Sequence, residues 1–429
     1  MKHHRKYFDR YAEPECHLLE NFPGKFQQGL VIPIFKEDAC VAHYFSAFAE
    51  ANKSTLLIII VNRPDDHTDT DWCQSFLHNF QNKTLTWQSQ HLSLYALQNN
   101  SAALLIDRCI IGAPIPSDQG VGLARKIGAD ILCYLIDQDI VHSKWIANTD
   151  ADARLPADYF VTLQSQEKSA AIVFPYQHIF HDEDTSRLPT LLYEFSLHYY
   201  VEGLRYAGSP YGYHTIGSII AAHQEAYIIA RGFPKRSGGE DFYLLNKLAK
   251  IEAIQTLKQP TITIQSRLSD RVPFGTGPAV IKLSKMENPL SANIYHPDSF
   301  HYLKSMILLL DHIAHCKQKT DLTVYLRDYP SKKDGTVCTA SLIEIATQLG
   351  LPNAINHCFN NAKTASIRKK HLQHWFDGFR TLKFIHLLRD KKLGTSSYQD
   401  ILTRGYSFDK SKPLVALAHA INNELSRQK

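Results

Sequence analysis

The run "LLIIIV" at residues 56–61 places six consecutive aliphatic side chains between the polar ends "ST" and "NRPDD". Side chains alternate between the two faces of a strand, so a strand apolar at every position must be covered on both faces. A parallel sheet with helices on either side meets that condition. The preceding residues agree with it. "GLVIPIFKED" (29–38) reads as a short buried strand that stops at Pro33 and opens into a polar loop. "ACVAHYFSAFAEANK" carries Val41, Tyr44, Phe45 and Phe48 on one helical face. Strand, helix and strand make a βαβ unit, and open sheets of such units bind ligands beyond the carboxyl ends of their strands.

The pattern continues along the chain. "RCIIGAP" (108–114) reads as a further short strand, broken by Pro114 and Pro116. "GVGLARKIGADILCYLI" (120–136) has Leu123, Ile127, Ile131, Leu135 and Ile136 at helical spacing. "WIAN", "AAIVFPYQ" and "TITIQSR" read as strands, "HDEDTSR" as a loop, and residues 189–206 as a helix dense in aromatics. Beyond about residue 290 every segment has helical spacing and no strand intervenes. The expected organisation is an N-terminal extension (1–28), an α/β domain with a mostly parallel central sheet (29–285) and an all-α C-terminal domain (286–429).

Composition narrows the class. The chain has 429 residues, 44% of them hydrophobic and 21% charged, with a formal net charge of +5. That is an ordinary globular composition with no strong nucleic-acid signature. No run of 18 apolar residues suggests a membrane-spanning helix, and the basic start "MKHHRKYFDR" lacks the apolar core of a secretory signal. Eight scattered cysteines without a CxxC pair read as reduced thiols in a cytoplasmic protein. "HIAHC" puts His312, His315 and Cys316 on one helical turn, without the further ligands that a zinc site requires.

Two acidic motifs carry the chemistry. In "WIANTDADARLPADYF", Asp150 and Asp152 share a face if the extended conformation persists. Carboxylates that close repel unless a cation or strong donors stand between them. "LIDQD" offers a competing pair, Asp137 and Asp139, but where a helix ends; Asp150 and Asp152 follow the better strand. Some 90 residues later, "GGED" sets Glu240 and Asp241 at the start of a helix, where exposed N–H groups can orient a general base.

With these strands, DAD and GED in order, the chain resembles a family-2 glycosyltransferase of the GT-A fold over roughly residues 28–280. "VIPIFKED" is similar to that family's opening strand and loop, and "IIIVNRPDD" stands where its second strand meets a DDGS-like turn. "NTDADARLPADYF" resembles its metal-binding DxD, and "GFPKRSGGEDFYLLNKL" its acceptor-side GxxED. The resemblance implies an inverting, metal-dependent hexosyltransferase-type enzyme that moves a sugar from a nucleotide-sugar donor to a hydroxyl. The acceptor would be a glycan, a lipid-linked saccharide, a protein or a small molecule. It implies Mn²⁺ or Mg²⁺ held by Asp152 directly, with Asp150 contacting either the ribose or the metal through water. Pro33, Glu37, Asn62, Asp65, Arg125, Asp150, Arg267 and Arg271 would bind the donor. Asp241 would be the base, Glu240 would hold an acceptor hydroxyl or cap the helix, and Tyr211, Tyr213 and His214 would meet the acceptor. "VNRPDD" departs from DDGS, which leaves the nucleotide open. The alternatives are a sugar-nucleotidyltransferase, disfavoured because "IPIFKEDAC" has no glycine for a phosphate loop, and a silent nucleotide-sugar binding module. Peripheral membrane contact is compatible with the sequence, and the oligomeric state is open.

Overall fold

The structure, a computed structural model, describes residues 2–180, 185–268, 271, 275–327, 337–406, 408 and 411–427. They form two compact units, one of residues 1–184 with 215–278 and one of 185–214 with 279–429. The aromatic helix expected within the α/β domain therefore belongs to the second unit, as do Tyr211, Tyr213 and His214. The loop expected at "HDEDTSR" spans residues 181–187, of which 181–184 lie outside the described residues, as do 269–270 and 272–274 of "LSDRVPFGTG".

The first unit is built on strands β1 (Gln28–Ile34), β2 (Thr55–Asn62), β3 (Leu85–Ser89), β4 (Leu92–Ala96), β5 (Ala102–Arg108) and β6 (Trp145–Asn148). After these come β7 (Ala153–Arg154), β8 (Ala171–Val173), β9 (Tyr176–Ile179), β10 (Ile220–His223), β11 (Ile254–Thr256) and β12 (Ile262–Gln265). Nine of them form one sheet in the order β11-β8-β10-β6-β1-β2-β5-β4-β3. Its central strands β6, β1, β2 and β5 are parallel, whereas β10 runs antiparallel to both β6 and β8. All eight residues of β2 are buried, as its unbroken apolar run demands. A second small sheet, β7-β12-β9, stands beside the first. "AAIVFPYQ" is thus two strands in two sheets, parted at Phe174 and Pro175.

Three other expectations change. β1 does not stop at Pro33 but continues to Ile34, with Pro33 opposite Ile60. The Val31 carbonyl accepts from the Thr149 N–H on the β6 side, at 3.0 Å, and β6 pairs with β1 only at Leu30 and Val31. Pro33, two residues on, faces the same side after β6 has left, so its missing N–H breaks no ladder bond. The strand expected at "RCIIGAP" lies earlier, as β5. Asp107 then accepts from the N–H groups of Cys109 (2.9 Å) and Ile110 (2.8 Å) and turns the chain. Finally, Cys73 and Cys109 are joined as a disulfide, so the eight cysteines are not all reduced thiols.

The helices of this unit are α1 (Lys2–Arg10), α2 (Ala39–Asn52), α3 (Asp71–His78), α4 (Gly120–Asp137) and α5 (Tyr159–Gln164). Past α6 (Arg187–Tyr206), which belongs to the second unit, come α7 (Gln224–Ala230) and α8 (Glu240–Leu248). α4 lies against β1 and β2 so closely that a Cβ on Gly128 would stand 2.5 Å from both Ile60 Cδ1 and Val31 Cγ1. The first 28 residues are not a detached extension. The hydroxyls of Tyr7 (2.5 Å) and Tyr227 (2.7 Å), the Lys126 ammonium (2.7 Å) and the Glu13 N–H (2.8 Å) all donate to the fully buried Asp130 of α4. A buried carboxylate with four donors is satisfied, and it anchors α1 to the unit.

The second unit is helical, including Asp298–His315, Ala365–Trp375, Gly378–Leu388 and Lys412–Arg427, around a core holding Phe195, Tyr199 and Phe300. It is not purely α, because β13 (Asn293–Tyr295) pairs antiparallel with β14 (Thr395–Ser397). No helix among the described residues is long and apolar enough to cross a membrane.

The contact at Gly128 leads to a stability prediction. Gly128→Val adds carbon where Ile60 and Val31 already touch the helix, and overpacking of this kind costs about 1–3 kcal/mol. Urea denaturation should show a lower midpoint with an unchanged slope.

Candidate active site

Beyond Asn148 the chain leaves β6, and the Ala153 N–H bonds back to the Asp150 carbonyl at 3.1 Å. This tight turn ends the extended conformation, so Asp150 and Asp152 do not share a strand face as the spacing suggested. Each has its own arginine. Asp150 Oδ1 accepts from Arg125 Nη2 at 2.7 Å, and Asp152 Oδ2 lies 2.9 Å from Arg267 Nη2.

Arg125 comes from the first turns of α4, and its side chain is 3% exposed. Its Nε donates to Glu240 Oε1 at 3.0 Å, so one guanidinium joins the turn after β6 to the first residue of α8. Gly217 makes room for it, since a Cβ there would stand 2.3 Å from Arg125 Nη2. Arg267 arrives by a different route. β12 pairs antiparallel with β7, placing Ile264 opposite Ala153, and the Gln265 N–H bonds to the Asp152 carbonyl at 2.9 Å. From there Arg267 forms a two-pronged pair with Glu37, both contacts at 2.8 Å, in the loop after β1. Arg271 also pairs with Glu37 and donates to the Phe35 carbonyl at 2.6 Å.

Five carboxyl groups (Glu37, Asp150, Asp152, Glu240, Asp241) thus gather with three guanidinium groups (Arg125, Arg267, Arg271). Two of the acids, Asp152 and Asp241, are raised. Burial raises the Asp152 carboxyl above the usual range, and Asp150 and Glu37 push the same way against Arg267 and Arg271. Asp241 is pushed up to about 8, first by burial and then by Glu240, despite Arg125 and the Phe242 N–H, which donates to it at 2.6 Å. Glu240 takes the arginine, and Asp241 beside it keeps its raised carboxyl. The donor set is all oxygen, the kind that a hard divalent cation takes, so Asp150 and Asp152 fit Mg²⁺ or Mn²⁺ by donor type.

The other sequence candidates are placed as follows. Glu240 is 4% exposed and bound to Arg125, so it does not present its carboxylate to an acceptor. Pro33 is buried within β1. Asn62 ends β2, where its amide donates to the Ile34 (2.9 Å) and Ile60 (3.2 Å) carbonyls and ties two strand ends together. Asp65 is exposed and accepts from the Ser117 N–H at 3.0 Å, holding a loop. Tyr211, Tyr213 and His214 are buried in the second unit, with His214 stacked edge-on to His198 at 4.4 Å. They pack as core and present no open aromatic face. Asp137 ends α4 and Asp139 sits in the turn before β6, at the opposite end of that strand from Asp150.

Arg125 stood in the sequence as one cation on an amphipathic helix, and nothing in its spacing announced two acidic partners 25 and 115 residues away. Comparison with known proteins adds nothing to the geometry: no family model and no curated protein matches the chain.

Two predictions follow from the pairs. Arg125→Met strands two carboxylates in a buried setting and should cost about 3–5 kcal/mol in denaturant unfolding. Arg125→Met combined with Glu240→Gln should regain part of that loss. The second concerns pH. Asp241 has an ordinary value of 3.8 and a folded value of about 8, so between them the folded state holds a proton that the unfolded chain releases. Its contribution is complete below pH 3.8 and is lost as pH rises through about 8. Wild-type stability should therefore fall relative to Asp241→Asn across that window and run parallel to it above. Parallel curves throughout would mean an unshifted Asp241.

Proposed function

We propose that this chain is an inverting, metal-dependent glycosyltransferase of the GT-A type, acting on a nucleotide-sugar donor. The observation that carries the reading is the division of labour at "GGED" beside the turn at Asp150. A buried arginine engages Glu240, and the neighbouring Asp241 keeps a carboxyl pushed up to about 8. A carboxylate of that basicity suits proton abstraction from a sugar hydroxyl near neutral pH.

In this proposal the acceptor hydroxyl attacks the anomeric carbon while Asp241 takes its proton. The bond from that carbon to the phosphate oxygen breaks on the opposite face, its electron pair leaves with the nucleotide, and the configuration inverts. A bound divalent cation supplies charge neutralisation for the departing phosphate. Asp150 and Asp152 would hold it. Arg267 and Arg271, now engaged with Glu37, offer guanidinium groups of the kind that grip phosphate oxygens. Arg125 and Glu240 position the turn and the helix start that carry Asp150 and Asp241.

Thermal shift with a panel of nucleotide sugars, with and without Mn²⁺, tests the donor site through linkage. A metal-dependent rise is expected for at least one donor, absent in Asp152→Asn. Asp241→Asn should keep that rise while sugar transfer or donor hydrolysis falls by about 10²–10⁴. No stabilisation by any nucleotide sugar, or full turnover in Asp241→Asn, would overturn the proposal.

A further inference from the structure

Far along α4 from Arg125, the first turn of α1 meets the start of α7. His3 and His4 of α1 both turn toward Glu225 of α7, with His4 Nε2 3.4 Å from Glu225 Oε1 and His3 Nε2 3.5 Å from Oε2. One ligating atom from each of the three residues can be chosen so that all lie within 4.8 Å of one another. Adjacent ligands on a tetrahedral zinc ion, with bonds of about 2.0–2.1 Å, stand about 3.3–3.4 Å apart. The His4–Glu225 spacing already matches that edge, while His3 approaches the other carboxylate oxygen, so a small rotation of the more exposed His3 brings all three ligands onto one ion.

A fourth residue separates this cluster from a chance meeting of polar side chains. His4 Nδ1 lies 2.6 Å from Asp137 Oδ1, on the last residue of α4. A carboxylate oxygen only accepts, so Nδ1 donates to Asp137, and Nε2, which faces the Glu225 carboxylate, gives up its proton when it takes a metal. A carboxylate behind one ring nitrogen, with the other nitrogen turned to the candidate ligands, is the arrangement that orients metal-binding histidines and raises their basicity. His4 is held tightly, its side chain 14% exposed, while Glu225 and His3 are 41% and 54% exposed, which leaves the remaining coordination positions open to water.

We propose that His3, His4 and Glu225 form a zinc-class metal site, with Asp137 as the positioning residue of His4, that clips the first turn of α1 to α7. Two imidazoles and one carboxylate select a borderline transition-metal ion over Mg²⁺ or Mn²⁺, in contrast to the all-oxygen set at Asp150 and Asp152. The clip adds a second fastening to α1, two helical turns along α4 from the Asp130 anchor. Asp130 and Asp137 are seven residues apart and therefore on one face of that helix.

The test is calorimetric titration of the chelator-treated full-length protein with Zn²⁺ alone, followed by spectra of the Co²⁺-substituted form. One site is expected, with affinity falling at least ~10-fold in His3→Ala, His4→Ala and Glu225→Gln, and by ~10–100-fold in Asp137→Asn, the range for loss of an outer-shell carboxylate. Asp152→Asn, in the candidate active site, should bind Zn²⁺ as the wild type does. The Co²⁺ form should lack a thiolate charge-transfer band. Absence of Zn²⁺ binding, equal binding by wild type and His4→Ala, a thiolate band, or loss of the site in Asp152→Asn would each overturn the proposal. The nucleotide-sugar reading is tested separately, by Mn²⁺ and donor.

Discussion

The buried guanidinium of Arg125 is the interaction on which the candidate site depends. A charge removed from water needs partners of opposite sign in good geometry, and Arg125 has two, Asp150 and Glu240, drawn from distant parts of the chain. Its place is set by α4, which presses on β1 and β2 at Gly128, so the rigid sheet fixes the arginine and the arginine fixes the acids. Both partners stand where regular structure ends or begins, at the turn after β6 and at the start of α8. Backbone at such points is otherwise free to move, and a shared cation holds the two together.

The charge imbalance around this clamp then shapes the chemistry. Arg125 is occupied by Glu240 and Asp150, and Arg267 and Arg271 are occupied by Glu37 and Asp152. Asp241 receives only the attenuated field of Arg125 and one backbone N–H, too little to offset its burial beside Glu240. Burial also raises Asp152, with Asp150 and Glu37 adding to it against Arg267 and Arg271. Burial among like charges therefore raises both carboxyl groups. α4 also carries the buried Asp130 that secures α1 and, at its end, Asp137, so a single helix organises the site at one end and the N-terminal segment at the other.

Much of the α/β framework was legible because burial on two faces leaves a direct trace in sequence. β2, α2, α4, β6 and the start of α8 were each readable from apolar runs, helical spacing or polar endings. The hairpin β3–β4 was not, since its outer strand is half exposed and its sequence "LTWQS" lacks a strong pattern. β5 was displaced because "AALLIDR" merges with the turn that follows, and that turn is made by the Asp107 side chain, which periodicity does not register. The short β13–β14 pair joins segments about 100 residues apart, and no local window contains both.

By itself the sequence determined the layered α/β architecture, the strand-end position of Asp150 and Asp152, and the helix-start position of Glu240 and Asp241. These follow from periodicity and from the conformational preferences of a few neighbouring residues. Tertiary structure alone decided which acid meets which arginine, that Glu240 is engaged while Asp241 remains basic, that Cys73 joins Cys109, and that two histidines of α1 face Glu225. It also removed Tyr211, Tyr213 and His214 into the core of the second unit. The physical reason is common to all of these. Ion pairing, burial and pKa depend on distances between residues tens to hundreds of positions apart, and only the packed sheet and helices set those distances.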